Sequence, residues 1–268
     1  MAAEIGIIGG TGFYSFLTNG RQVATTTPFG APSATVTVGE VAGRQVAFLP
    51  RHGRKHEFPP HKVNYRANLW ALRSVGVRQV IAPCAVGSLR ADLNPGTFVV
   101  PDQVIDRTWG REHTCYDAKG TVVHAGFADP YCPRGRAAAV AADPAVVDGG
   151  TLVVINGPRF SSKAESRWHA AAGGSVVGMT GMPEASIARE LAMCFTTICM
   201  VTDHDAGVET GEAVSHAAVM EVFGQNIERL KSLLITVIAG LPAPEPDATA
   251  GCSCRRALDG QALPFELP

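Results

Sequence analysis

Short apolar segments alternate with longer amphipathic ones along most of this chain, and this alternation predicts an α/β fold. The predicted strands are Ile5–Ile8, Thr35–Val38, Gln45–Leu49, Gln79–Ala82, Thr97–Val100, Leu152–Ile155 and Phe195–Thr202. Apolar residues at helical spacing predict helices at His61–Ser74, Glu184–Ala192 and Ala217–Ala239. From residue 242 the sequence becomes rich in Pro, Ala and Gly. We therefore predict one α/β domain over residues 1–241 and a tail or arm over residues 242–268.

The composition indicates which kinds of partner and which cellular compartment to expect. With 268 residues, of which 46% are hydrophobic, the chain can bury one sizeable core. A net charge of −1 gives no reason to expect nucleic acid or a membrane surface as a partner. We expect no membrane span and no secretory signal, because the apolar runs are strand-length and no basic region precedes the first of them. The seven cysteines are scattered, which is typical of reduced thiols in a cytoplasmic protein.

Two carboxylates, Asp203 and Asp205, directly follow the apolar run CFTTICMVT. Alternate residues of a strand share a face, so both side chains are offered to the same ligand. Acids at the end of a buried strand are costly unless they bind something. The pair therefore predicts a binding site at this strand end.

Four other segments have residues suited to binding. Gly6–Gly12, GIIGGTG, lacks the dinucleotide spacing and is interpreted as a small phosphate-binding loop or a tight turn. The basic segment 50–56 follows a strand and is either an oxyanion site or a solvated loop. In the segment 156–162, an aromatic ring and a hydroxyl suit a flat ligand, although a turn with a core Phe has the same pattern. In the segment 178–184 a strand runs into a helix N-terminus, which favours anions.

The pair Cys252-x-Cys254 lies in the predicted tail. No clustered His and no second Cys pair lies near it in the sequence, so we expect no metal site. The pair is interpreted as redox-active or incidental.

The chain resembles the trimeric purine nucleoside phosphorylase family, most closely its 5′-methylthioadenosine phosphorylase branch. The resemblance rests on segments in family order over about residues 4–240, namely GIIGGTG, TPFGAPS, RHGRKH, VNYRANLWAL, GSL, VVPDQVIDRT, ADPYCP, GPRFSSKAES, GMTGMPEA and TDHDAG. It implies a single domain with a central mixed β-sheet flanked by helices and a homotrimeric assembly. The implied reaction is reversible cleavage of 5′-methylthioadenosine to adenine and 5-methylthioribose 1-phosphate. Inorganic phosphate is the co-substrate, and no cofactor is expected.

The resemblance also implies roles for individual residues. Those expected to hold phosphate are Thr11, Arg51, His52, Ala85 through its backbone, and Thr180. Those expected at the base are Phe160 and Ser161, with Asp203 at purine N7 and Asp205 at the 6-amino group. Those expected at the ribose are Met179 and Glu184. Those expected around the 5′ substituent are His56, His216, Val219 and Met220, with His124 contributed by a neighbouring subunit.

Some positions depart from the family pattern. Members that prefer 6-oxopurines have Asn in place of Asp203, so the Asp pair indicates adenine. The branch commonly has Asn and Glu where this chain has Gly178 and Asn156. His216 stands where the branch has an apolar residue and where nucleoside-preferring members have a His for the 5′-hydroxyl. Phosphorolysis of adenosine, another 5′-modified adenosine or methylthioinosine is therefore the alternative, and a non-catalytic nucleotide-binding protein is the alternative of another class.

Overall fold

The computed structural model describes residues 3–10, 13, 16–17, 19–120, 122–206, 215–243 and 252–268. Within these residues, eleven strands form one mixed sheet, flanked by five α-helices. The strands are β1 (Ile5–Gly9), β2 (Arg21–Val23), β3 (Val36–Val41), β4 (Arg44–Pro50), β5 (Gln79–Ser88), β6 (Phe98–Val100), β7 (Gln103–Arg107), β8 (Val147–Asp148), β9 (Thr151–Ile155), β10 (Gly174–Gly178) and β11 (Cys194–His204). The helices are α1 (Tyr65–Ser74), α2 (Pro133–Ala142), α3 (Lys163–Ala171), α4 (Gly181–Glu190) and α5 (His216–Gly240). The predicted fold class is confirmed.

The long strand β5 organises the sheet and creates an opening beside itself. Along one edge it pairs in parallel with β11. Along the other edge, residues 79–81 pair in parallel with β1, whereas residues 87–88 pair antiparallel with β10. In the described register, residues 82–86 therefore have no ladder on that edge. The sheet separates there, which leaves room for a ligand beside the middle of β5.

Helices cover both faces of the sheet with their apolar sides. Leu69 of α1 and Ile187 of α4 belong to one buried cluster, and Ala139 of α2 and Leu234 of α5 belong to another. This burial is the main stabilisation of the fold, because apolar area removed from water is the dominant favourable term. No helix in the described ranges is both long enough and apolar enough to cross a membrane.

Several element boundaries differ from the sequence-based predictions for local reasons. Helix α1 begins at Tyr65 because the Asn64 side chain accepts a hydrogen bond from the N–H of Ala67 at 3.1 Å, which fixes the helix start. Helix α3 was not predicted, although Ser162 and Glu165 form a capping box at its start. The spacing of these two residues was the signal that could have revealed this helix.

The C-terminal residues 252–268 pack against the domain. The Phe265 ring lies 5.1 Å from the Tyr116 ring and 5.4 Å from the Trp70 ring, measured between centroids. Cys254 and Leu258 are buried. This segment, predicted as part of a tail or arm, thus contributes to the hydrophobic core.

Candidate active site

A cavity of about 320 Å³ lies where β4, β9, β10 and β11 end, beside the opening along β5. Most of the predicted site residues line it, namely Arg51, His52, His56, Ala85, Phe160, Ser161, Met179, Thr180, Asp203, Asp205, His216, Val219 and Met220. Thr11 lies outside the described residues. Glu184 and His124 are described but do not line this cavity. The separate sequence segments therefore converge as predicted, with two exceptions.

Arg51 lines the cavity directly after the end of β4, and it is only 1% exposed. Hydrogen bonds hold its guanidinium in place. Its Nε donates to Glu184 Oε1 at 2.5 Å, and Nη2 donates to Glu184 Oε2 and to the Ile8 carbonyl, both at 3.1 Å. Its Nη1 donates to the Pro83 carbonyl at 3.2 Å. A guanidinium has five N–H groups, so one hydrogen on Nη1 is left for a ligand. Arg51 is a fixed cation with one directed donor to offer.

The partner of Arg51 corrects the role predicted for Glu184. Both Glu184 oxygens accept from Arg51, and the carboxylate is buried behind the guanidinium. Burial lowers the pKa of Arg51, but the attraction and hydrogen bonds of Glu184 outweigh it, so the net shift is upward. The geometry thus gives Glu184 the task of positioning Arg51, in place of a contact with ribose hydroxyls.

His52 and Thr180 add polar groups beside this cation. Burial and the neighbouring Arg51 lower the pKa of His52 to about 4, so its imidazole is neutral near pH 7. We assign the hydrogen to Nδ1, because Nδ1 lies 2.8 Å from the Phe58 carbonyl, which can only accept. Nε2 is then an acceptor. Thr180 precedes α4, and its side chain makes no capping bond. Its hydroxyl is therefore available to a ligand.

The two aspartates lie together at the end of β11, as predicted, but in different environments. Burial raises the pKa of Asp203 to about 6, with a smaller contribution from Asp205. The Thr202 hydroxyl lies 2.8 Å from Asp203 Oδ2 and 3.2 Å from the Val86 carbonyl. The hydrogen bond that the Thr202 hydroxyl donates to Asp203 Oδ2 lowers the pKa of Asp203, but burial raises it more. Asp203 therefore takes up a proton more readily than an ordinary aspartate, with half of it protonated at about pH 6.

Two buried polar atoms in the cavity lining have no hydrogen-bond partner among the described residues. They are Asp205 Oδ2 and Ser161 Oγ. Asp205 and Ser161 are only 4% and 7% exposed, so each unpaired atom has lost most of its access to water. Buried polar atoms are nearly always paired, and leaving one unpaired costs about 1–3 kcal/mol. These atoms indicate where a polar ligand binds.

The sequence did not predict Gly87 as a site residue, although Gly87 lies against both Asp203 and Asp205. A Cβ placed on Gly87 would lie 2.9 Å from Asp203 Oδ1 and 3.2 Å from the Asp205 Cβ. We expect Gly87→Ala to displace Asp203 and to lower kcat/KM about 10- to 100-fold, because small misplacements of a reacting group have large effects on rate. Steady-state kinetics measures the fall in kcat/KM, and thermal unfolding shows whether the variant is still folded. The matched control is Gly240→Ala, where a Cβ meets nothing within 4 Å and activity should not change. Unchanged kinetics for Gly87→Ala would contradict this assignment.

Arg111 was also missed, because its position in a loop gave no sequence signal. Its Nη2 donates to the carbonyls of Asn156 and Met179, both at 2.8 Å, and its Nη1 donates to the Met182 carbonyl at 2.5 Å. Its Nε donates to the Asn156 side chain at 3.2 Å. Arg111 therefore fixes the loop before Phe160 against the segment that contains Met179.

The first turns of α5 form another wall of the cavity. Val219, Met220 and Phe223 are apolar, whereas His216 is exposed at the start of the helix. The His56 ring, which also lines the cavity, stacks on the His52 ring at 4.6 Å between centroids. His124 is exposed on a loop, where its backbone exchanges two hydrogen bonds with the Gln261 side chain, each 2.7 Å long. Its predicted contribution to another subunit's cavity stays a prediction.

Comparison with known proteins identifies the family. The family model described as Phosphorylase superfamily matches residues 4–239. The chain belongs to the phosphorylase superfamily. Two relatives of this superfamily are each 56% identical to the chain. One is a purine nucleoside phosphorylase of Streptomyces coelicolor, and the match covers 99% of this chain and 98% of the relative. The other is an S-methyl-5′-thioadenosine phosphorylase of Mycolicibacterium smegmatis, and the match covers 98% of this chain and 99% of the relative.

Solved structures of the superfamily show the same fold. The methylthioadenosine phosphorylase of Schistosoma mansoni in complex with adenine superimposes with a TM-score of 0.88 at 38% identity, covering 96% of this chain and 97% of the other. The predicted family membership is confirmed. The predicted enzyme class, a nucleoside phosphorylase, is confirmed with it.

Proposed function

We propose that this protein catalyses the reversible, phosphate-dependent cleavage of 5′-methylthioadenosine to adenine and 5-methylthioribose 1-phosphate. The observation that carries the proposal is one cavity lined by a fixed guanidinium and by a carboxyl group whose pKa is raised to about 6. These are the groups that a phosphate nucleophile and a departing purine require. The methylthioadenosine phosphorylases among its relatives support the choice of substrate.

The cationic part of the cavity suits inorganic phosphate. The spare N–H of Arg51 and the hydroxyl of Thr180 donate to anionic oxygens, and the Ala85 backbone lies on the unpaired edge of β5. The neutral His52 accepts through Nε2, which matches the hydroxyl of a partly protonated phosphate. Phosphate held in this way keeps its negative charge and can direct one oxygen at the anomeric carbon. Fixed donors in a water-poor site position this nucleophile before the reaction.

The carboxylate part of the cavity suits a departing adenine. As the N-glycosidic bond breaks, negative charge accumulates on the purine, and Asp203 donates its proton to N7. The unpaired Oδ2 of Asp205 accepts from the 6-amino group, which a 6-oxopurine lacks. Phe160 packs on the base, Ser161 Oγ bonds its edge, and Met179 lies beneath the ribose. Selectivity for adenine follows, because a mismatched base leaves buried polar atoms unpaired.

The decisive experiment measures base release from purified protein. We expect 5′-methylthioadenosine to give adenine and 5-methylthioribose 1-phosphate only when phosphate is present, with both products resolved by liquid chromatography. Adenine release at the same rate without phosphate would refute the proposal. So would saturable nucleotide binding with no nucleoside cleavage, which is the result expected of a non-catalytic binding protein.

Phosphorolysis of adenosine is the second candidate, and His216 is the observation that favours it. His216 lines the cavity beside Val219 and Met220, so a 5′-hydroxyl would have a hydrogen-bond partner as well as apolar walls. The names of the relatives also differ in the nucleoside they specify. One is a purine nucleoside phosphorylase, and another is an adenosine/methylthioadenosine phosphorylase of Schistosoma mansoni.

We expect His216→Leu to shift the enzyme towards the methylthio substrate. Loss of one hydrogen bond to the 5′-hydroxyl is worth about 0.5–1.5 kcal/mol, so kcat/KM for adenosine should fall about 3- to 10-fold relative to 5′-methylthioadenosine. The ratio of the two kcat/KM values checks this. Glu221→Gln on the same helix is the control, because Glu221 does not line the cavity. An unchanged ratio for His216→Leu would show that His216 only faces solvent.

The assembly proposed with this function is a cytoplasmic homotrimer in which His124 completes a neighbour's 5′ pocket. Trp109, Val122 and Trp168 are 73%, 73% and 52% exposed, and burial of such apolar area in an interface would be favourable. The seven free thiols suit a reducing compartment. Light scattering after size exclusion tests the trimer. A monomer with full activity would refute the role of His124.

A further inference from the structure

Four cysteines from three parts of the chain meet at one point. Cys132 precedes α2, Cys194 begins β11, and Cys252 and Cys254 lie in the C-terminal segment. Their four Sγ atoms all lie within 4.8 Å of one another. From the sequence we expected no metal site, because no second Cys pair lies near Cys252 and Cys254 along the chain. The fold supplies that second pair from residues 58 and 120 positions away from Cys252.

Both measured distances between sulfur atoms are much longer than a disulfide bond, and one of them is close to the spacing in a zinc site. Cys252 Sγ lies 3.1 Å from Cys194 Sγ and 3.7 Å from Cys132 Sγ. Tetrahedral zinc with Zn–S bonds of about 2.3 Å places its sulfurs about 3.8 Å apart, whereas a disulfide bond is about 2.05 Å long. All four cysteines are free in the structure. Because Cys252 approaches two partners and all four sulfurs converge, one ion could contact all four.

The cysteine cluster is shielded from water. Cys132, Cys194 and Cys254 are buried, and Cys252 is partly buried beside them. A bound cation would hold the four sulfurs as thiolates, which is the form that binds metal.

We propose that Cys132, Cys194, Cys252 and Cys254 bind one zinc ion in a structural site. Four sulfur ligands from the protein fill a tetrahedral coordination sphere and leave no open position for a substrate. None of the four cysteines lines the cavity of the candidate active site, and Asp203 lies at the opposite end of β11 from Cys194. The ion ties the C-terminal segment to α2 and β11. It thereby holds Phe265 in place between Trp70 and Tyr116.

Metal analysis of the full chain tests the proposal. The protein is produced in medium with zinc, purified under reducing conditions and analysed by inductively coupled plasma mass spectrometry. We expect about one zinc ion per chain in the wild type. The Cys252→Ser/Cys254→Ser variant should lose nearly all of it and unfold at a lower temperature. Cys115→Ser is the matched control, because Cys115 is equally buried but lies outside the cluster. This control should retain the metal.

A second measurement covers the case in which the double variant does not fold. Cobalt substitution of the wild type should give the charge-transfer and ligand-field absorption of tetrahedral cobalt thiolate. A wild type without bound zinc and without this absorption would overturn the proposal. So would peptide mapping of the unreduced, metal-free protein by mass spectrometry that shows two of these four cysteines linked, because the same sulfurs would then form a disulfide bond. Neither outcome depends on the proposed nucleoside phosphorylase activity.

Discussion

Replacing Asp203 with Asn is expected to lower kcat/KM for 5′-methylthioadenosine about 10²- to 10⁴-fold, the usual contribution of a positioned proton donor. An amide can hydrogen-bond purine N7 but cannot give it a proton. Since the pKa of Asp203 is raised to about 6, the wild-type kcat/KM should fall as pH rises through that value, after correction for phosphate ionisation. The Asn variant should lose this step. Wild-type rates in the variant, or an unchanged pH profile, would show that Asp203 is not the donor.

A preference test separates loss of the proton from general damage to the site. The family resemblance implies that Asn at this position goes with a preference for 6-oxopurines, so Asp203→Asn should retain more activity with 5′-methylthioinosine than with 5′-methylthioadenosine. Reversal of the wild-type preference is the expected result. An equal loss with both substrates would point to a distorted cavity, and the base specificity assigned to Asp203 would then be wrong.

The same variant should be more stable than the wild type above pH 6. The folded state raises the pKa of Asp203 from 3.8 to about 6, so it favours the protonated form. Its stabilising effect is fully present below pH 3.8 and is lost as pH rises to about 6. Above that range, the buried carboxylate costs about 2–3 kcal/mol, which Asn avoids. Denaturant unfolding at several pH values measures this, and a stability difference that does not change with pH would contradict it.

The sequence predicted those features that depend on local pattern. Alternation along β11 placed Asp203 and Asp205 on one face, and the end of an apolar strand placed Arg51 at a binding edge. Both inferences need only the strand period and the tendency of α/β sheets to bind ligands at strand ends. The ligand-lining surface could therefore be largely anticipated before the fold was known.

The features that escaped prediction depend on depth or on contacts across the chain. Glu184 was expected to face the ribose. Packing decides whether its side chain lines the cavity or lies on the far side of Arg51 from it, and the sequence does not record this. The gathering of Cys132 and Cys194 around Cys252 requires α2, β11 and the C-terminal segment to meet. Arg111 binds several carbonyls that are remote in sequence. No local period records such contacts, so only the folded arrangement reveals them.

The ion pair of Arg51 and Glu184 gives the second large effect, and here stability and function can be separated. Arg51→Met should lower the free energy of unfolding by about 3–5 kcal/mol, because it leaves the buried Glu184 carboxylate without its cation. Adding Glu184→Leu removes that unpaired charge and should restore much of the stability, since apolar replacements of a buried pair are often tolerated. Chemical denaturation of both variants and the wild type measures these differences.

Activity should not return with stability in the double variant. The cation and the spare Nη1 hydrogen that face the cavity are still missing, so we expect kcat/KM for phosphate to stay at least about 10²-fold below the wild type. Glu184→Gln is the complementary control, because it keeps the guanidinium but weakens its anchor, and its loss should be smaller. Initial rates over a range of phosphate concentrations give these values. A stable double variant with wild-type use of phosphate would mean that Arg51 serves only the fold, and that the nucleophile binds elsewhere in the cavity.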